Sequence, residues 1–125
     1  MKQIISTENA PAAIGPYSQA ILSNNTLYCS GQIAINPETG DLVMDNITNE
    51  TTQVMKNISE VLKSADMDFS NVVKCSIFMK NIDDYAKINK VYALSFNNHH
   101  PAREAVEVSA LPKNVNVEIS VIAVK

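Results

Sequence analysis

Arginine is nearly absent from this chain of 125 residues: of its ten basic side chains only Arg103 is an arginine, and the lysines are scattered singly. Tryptophan is missing, glycine occurs three times and cysteine twice. Each shortage excludes something. With no basic run and a formal net charge of −3, the chain offers little to neutralise a phosphate backbone, so nucleic-acid binding is not suggested. Cys29 and Cys75 both lie inside apolar, strand-like stretches, where a buried free thiol in a reducing compartment is the commoner outcome. A disulfide between them has no support in the pattern. No apolar run approaches the roughly 20 residues of a membrane helix, and too little chain precedes the first motifs for a signal h-region. The expectation is a soluble, cytoplasmic protein with no membrane partner. Metal ligation is not expected either, because His99 and His100 are adjacent and point apart in an extended chain, and no Cys, Asp or Glu at ligand spacing completes a set; both read as solvated loop residues.

Hydrophobic residues make up 46% of the chain, enough for a single domain over residues 1–125 with one real core. Ile4-Ile5 suit a short first strand. Pro11 to Pro16 form a shaped loop, since two prolines remove donors and Gly15 permits unusual dihedrals. Tyr17 to Leu22 and Leu27 to Ile35 read as a hairpin around Asn24-Asn25. From Asn46 to Ala65 the period becomes helical: Ile47, Thr51, Val54, Met55, Ile58, Val61, Leu62 and Ala65 share a face, with Glu50, Gln53, Lys56, Asn57 and Glu60 largely opposite. Val72 to Met79 is a strand. A second helix follows, capped by Asn81 or Asp83, with Tyr85, Ile88, Tyr92 and Phe96 as its buried stripe.

The C-terminal stretch holds the chemistry. Pro101 to Val108 and Val115 to Val121 both show the β-branched alternation of strands, and the turn at Leu111-Pro112-Lys113-Asn114 suggests that they lie side by side. Arg103 near the start of one and Glu118 on the other would then face one cleft, pairing a fixed guanidinium fork for a planar anion with a carboxylate able to order water. The competing reading is a surface ion pair of little energetic weight. Helices between strands predict an α+β fold, a two-layer mixed sheet with two helices on one face. The face of the last strand that carries Asn116, Glu118 and Ser120 would need a cover, which a partner subunit would supply.

Pro101-Ala102-Arg103, Val106-Glu107-Val108, Leu111-Pro112-Lys113 and Val117-Glu118-Ile119, with Ile14-Gly15-Pro16-Tyr17-Ser18-Gln19 and Ser30-Gly31-Gln32 upstream, resemble the RidA family (YjgF/YER057c/UK114). The likeness runs from about Asn9 to Ala123. It implies a homotrimer of chorismate-mutase-like subunits whose sheets pack around a common axis as a trimeric barrel, with clefts between neighbours. It also implies hydrolytic deamination of 2-imino and enamine acids, such as 2-iminopropanoate and 2-iminobutanoate, to 2-oxo acids and ammonia, without metal or organic cofactor.

By the same resemblance Arg103 grips the substrate carboxylate, Glu118 positions the attacking water, and Tyr17 hydrogen-bonds substrate or water. Ser30 and Gly31, read as strand residues, let the substrate approach the main chain, and Asn89 lies near the site. On residue type alone Tyr17 is a rim aromatic and Asn89 an exposed helix residue. Two positions depart from the family pattern, and the span between Asn89 and Arg103 is shorter than in some relatives. Ala105 stands where many relatives carry a cysteine, which leaves only its backbone amide as a donor, and His100 stands where an aromatic residue often precedes Pro101. The alternative function is a non-catalytic regulator that binds 2-oxo acids or similar metabolites through the same arginine. A ribonuclease, also associated with parts of this family, is disfavoured by the acidic balance.

Overall fold

The computed structural model describes residues 1–125. In chain order the elements are β1 (Lys2–Ile5), β2 (Ala20–Ser23), β3 (Thr26–Cys29), α1 (Ile47–Lys63), β4 (Val72–Met79), α2 (Tyr85–Ala93), β5 (Ala102–Glu107) and β6 (Val117–Val124). The strands form one mixed sheet in the order β1-β2-β3-β6-β4-β5, with both helices on one face, the predicted α+β arrangement. No helix is long and apolar enough to cross a membrane.

The pairing corrects the C-terminal hairpin. β5 runs parallel to β4, with Arg103 beside Cys75, and β6 pairs antiparallel with β4 on the opposite side, with Val121 beside Cys75. The two supposed arms never touch, because β4 lies between them. Composition explains the outcome. β6 alternates fully buried Val117, Ile119, Val121 and Ala123 with half-buried residues and belongs in mid-sheet, whereas β5 carries Arg103, Glu104 and Glu107 and suits an edge. A helical crossover from β4 through α2 also returns the chain parallel to β4, which a tight turn cannot do.

α1 begins where the Asn46 side chain accepts from the Asn49 N–H at 2.8 Å. Its stripe of Val54, Ile58, Val61 and Leu62 is completely buried and packs on β6. Two residues assigned to its polar face are buried as well. Glu50 accepts from Asn116 N and Nδ2, both at 2.8 Å, and from Val117 N at 3.3 Å. Asn57 donates to the carbonyls of Ile33 and Ile35 at 3.1 and 2.9 Å. Both satisfy backbone groups that flank the sheet without ladder partners. In α2, Ile88 and Tyr92 are buried as expected, Phe96 is buried beyond the helix end, and Tyr85 is 39% exposed.

The strand predicted from Leu27 to Ile35 stops at Cys29, and only Gln32 rejoins the sheet, by a bridge to Ile119. Ser30 and Gly31 leave the ladder between them. The strand expected from Tyr17 starts at Ala20, so Tyr17 stays in the loop.

Candidate active site

Sheet register decides which way the chemical groups face. Arg103, Cys75 and Val121 form one row across three strands, and side chains alternate faces along a strand. Arg103 therefore points to the helix-covered side, and Glu118, three residues from Val121, points to the open side. Within one chain the two groups do not share a cleft, contrary to the expectation from sequence.

Glu118 lies in a cavity of about 460 Å³ whose walls include Pro11, Tyr17, Ser30, Gly31, Gln32 and Lys113. Gly31 admits the carboxyl: a Cβ there would stand 2.6 Å from Glu118 Oε2 and 2.8 Å from its Cδ. Partial burial pushes the Glu118 carboxyl above the usual carboxylate range, and no donor of the chain hydrogen-bonds it. Such a group is suited to taking up a proton and returning it.

The loop wall is held by side chains whose roles the sequence did not announce. Gln19 is buried and knits residues 7–11 together: its Oε1 accepts from Thr7 N at 2.6 Å, and its Nε2 donates to the Thr7 and Pro11 carbonyls at 3.0 and 2.7 Å. Ser30 Oγ donates to the Ser18 carbonyl at 2.5 Å. Its hydroxyl thus fixes the loop beside Tyr17, which is 54% exposed with its ring at the cavity wall. Lys113 and Asn114, both at positive φ (55° and 58°), bend the chain at the same cavity, an uncommon conformation for residues with a Cβ. Burial of Gln19, a polar residue whose loop partners Thr7 and Pro11 are 12 and 8 positions away, had no periodic signal to reveal it.

On the other face a cavity of about 360 Å³ is lined by Asn89, Tyr92, Ala93, His100, Pro101 and Arg103. The Arg103 guanidinium donates from Nη1 to Asn89 Oδ1 and from Nη2 to the Tyr85 hydroxyl, each at 2.6 Å. Its Cζ lies 5.0 Å from the Tyr92 ring centroid and 5.6 Å from that of Tyr85. No carboxylate pairs with it: the two ion pairs of the chain are Lys63–Glu60 and Lys74–Glu104. Ala105 points the same way, two residues further along the edge strand. Val108 N donates to Met79 O at 2.8 Å, so by alternation the Ala105 N–H faces away from β4, toward the open edge.

Buried beneath Arg103, Cys75 has its thiol pushed up by desolvation, as does Tyr92 its hydroxyl. The Tyr92 hydroxyl lies close to that thiol but makes no well-formed hydrogen bond. Cys29 is raised to about 12, again mainly by burial. It continues the row of Val121 from the opposite side, two strand spacings from Cys75, roughly 9.6 Å. That separation is too great for a disulfide. His99 is not a solvated loop residue: its Nε2 is 2.8 Å from the Val72 carbonyl oxygen and its ring packs edge-on against Phe96. No three His, Cys, Asp or Glu side chains cluster as metal ligands.

The fold defines a small α+β protein of the chorismate-mutase-like type, with an arginine paired to no carboxylate on one sheet face and a carboxyl raised by burial on the other. Residues 7–125 match the family described as endoribonuclease L-PSP, and the chain belongs to this family, also called RidA or YjgF. A RutC family protein of Pyrococcus horikoshii is 50% identical over 125 residues, all of this chain and 99% of the relative. The 2-iminobutanoate/2-iminopropanoate deaminase of Bos taurus is 48% identical over 125 residues, all of this chain and 91% of its own. Among solved structures, the Rid-family protein YyfA of Yersinia pestis superposes with a TM-score of 0.97 at 53% identity, covering both chains completely.

Proposed function

We propose that this protein hydrolyses 2-imino acids, 2-iminopropanoate and 2-iminobutanoate among them, to the 2-oxo acid and ammonia, the activity named for its bovine relative. The observation that carries this reading is the state of Arg103. Its cation is held by an amide oxygen, a phenol oxygen and two aromatic faces, with no carboxylate to neutralise it. That arrangement leaves a preformed seat for an organic anion.

The chemistry follows from the groups. Arg103 takes the substrate carboxylate, assisted by the outward Ala105 N–H, and Asn89 holds the guanidinium in place. Glu118 removes a proton from water as the water oxygen bonds to C2, the C=N π electrons move to nitrogen, and Glu118 delivers that proton to the nitrogen. In the resulting carbinolamine Glu118 removes the hydroxyl proton as the C=O bond forms and the C–N bond breaks, and passes it to the departing nitrogen, which leaves as ammonia. Tyr17 supports the water or the substrate, while Ser30 and Gly31 shape the approach. Atoms balance with water as the only co-reactant, and every step as written is assigned to a side chain or backbone group of the protein.

Because Arg103 and Glu118 project from opposite faces of one sheet, the working site is built between chains, Arg103 from one and Glu118 with its loop from a neighbour. A homotrimer provides three such clefts. The open sheet face supports this assembly, for Ile4, Tyr28 and Val106 leave 69%, 50% and 42% of their surfaces exposed around Glu118 and Ser120, which a second copy would cover. A ribonuclease, the activity in the family's description, fits poorly with one arginine and dispersed lysines.

The test generates the imine in place with a dehydratase and follows its disappearance. Arg103→Ala is expected to lower kcat/KM by at least about a hundredfold, the loss of two charge-assisted hydrogen bonds. An unaffected variant would remove the proposal. Saturable 2-oxobutanoate binding without turnover would instead favour a metabolite-sensing regulator.

A further inference from the structure

We infer that Tyr85 is a positioning residue of the anion site, fixing the plane of the Arg103 guanidinium without neutralising it. The inference rests on the reading of Arg103 as the carboxylate seat. Tyr85, Asn89 and Tyr92 fall four and three residues apart and so share one face of α2, and all three touch the same guanidinium. Asn89 Oδ1 takes Nη1, the Tyr85 hydroxyl takes Nη2, and the rings of Tyr85 and Tyr92 stand 5.6 and 5.0 Å from Cζ. A guanidinium carries five N–H donors. Two are spent on neutral oxygens at its two ends, which fixes its orientation and leaves three for a ligand.

The chemistry of the partners is the discriminating feature. A carboxylate at either position would hold arginine more strongly, but it would also cancel the charge that an incoming anion needs. Phenol and amide oxygens hold it without that cost. Asn89 is half-buried and Tyr85 is 39% exposed, so Asn89 anchors the inner end and Tyr85 latches the outer one. A hydroxyl that accepts from a cation becomes a better donor in turn, and the Tyr85 proton is free to point away from Arg103. Losing the latch leaves the cation in place but frees its outer nitrogen to swing. The consequence belongs to binding: each productive encounter must reorder the fork.

The composition of the chain makes this measurable, because Arg103 is its only arginine and one set of guanidinium signals in ¹⁵N-labelled full-length protein reports on it alone. Without ligand, the parent protein is expected to show slowed rotation about the Cζ–Nη bonds. Tyr85→Phe, which keeps the ring, is expected to show averaged Nη signals. The same substitution should raise KM for the imine and Kd for 2-oxobutanoate about 3- to 10-fold, with kcat within about twofold, the effect of one neutral hydrogen bond.

Unchanged Nη dynamics in Tyr85→Phe overturn the inference. So does an unchanged KM, or a fall in kcat and melting temperature with KM intact, which marks a merely structural tyrosine. Arg103→Ala separates the two levels. If that variant binds 2-oxobutanoate like the parent, the carboxylate seat itself fails. If it loses binding while Tyr85→Phe matches the parent in every readout, only the latch fails.

Discussion

Gly31 and Glu118 act as one unit, since the glutamate's carboxyl occupies the volume that any side chain at position 31 would need. A methyl group there would sit 2.6 Å from Oε2, well inside contact distance, and the movable partner is the carboxyl itself. Gly31→Ala is therefore expected to turn Glu118 away from the orientation in which the proposed mechanism has it activate water. Imine hydrolysis should fall at least about tenfold, while stability changes by only about 1 kcal/mol. Parallel rate and melting measurements check this, and a variant with normal turnover would show that Glu118 tolerates displacement. The carboxyl also makes a prediction about pH. Burial raises its pKa, so the folded chain binds that proton more tightly than the unfolded chain. The cost of burying the ionised form is thus present above the folded pKa and is relieved as pH falls through it. Glu118→Gln should accordingly melt higher than the parent at pH 7, with the difference vanishing below about pH 4. Its turnover should drop about a hundredfold or more. A lower melting temperature at pH 7 would contradict the origin assigned to the shift.

At the scale of elements, what periodicity could and could not reveal is clearest in α1. The apolar stripe from Val54 to Leu62 follows from a 3.6-residue repeat and is buried as expected. Glu50 and Asn57 look like surface residues by type, yet each is buried to serve a backbone distant in sequence. No pattern within the helix encodes a partner more than twenty residues away. β5 and β6 illustrate the same limit: both were legible as strands, but adjacency in sequence suggested a hairpin, whereas β6 inserts between β3 and β4 because its alternation demands burial on one face. The polar character of β5 was the available signal for an edge. The Glu50 contact carries a prediction at this scale, since it ties α1 to the entry of β6 through two backbone amides and the Asn116 side chain. Glu50→Ala strands those donors in a dry place and should cost about 3 kcal/mol. Glu50→Gln keeps acceptor oxygen and should cost less, about 1 kcal/mol. Denaturant unfolding measures both, and an equal small loss for the two variants would mean that water replaces the carboxylate.

At the scale of the whole molecule the site residues behave differently from the fold. The identities of Arg103, Glu118, Tyr17 and Gly31 were legible because the motifs around them resemble a family. Their placement on opposite faces was not, because the sequence suggested a hairpin, whereas a single chain holds Arg103 on the helix-covered side of its sheet and Glu118 on the other. No residue pattern records a contact that forms only between copies. If the proposed assembly is right, a chain without the arginine and a chain without the glutamate are each inactive alone but complementary together. Random mixing of equal amounts of Arg103→Ala and Glu118→Gln chains, unfolded and refolded together, should leave about one quarter of the interfaces with both groups intact. Activity should recover to about that fraction of the parent, whereas mixing the two folded variants without subunit exchange should recover nothing. A site contained within one chain predicts no recovery under either protocol, because every chain in the mixture then lacks one of its two working groups. The comparison therefore tests the division of labour between subunits separately from the roles assigned to either residue, which the single variants address.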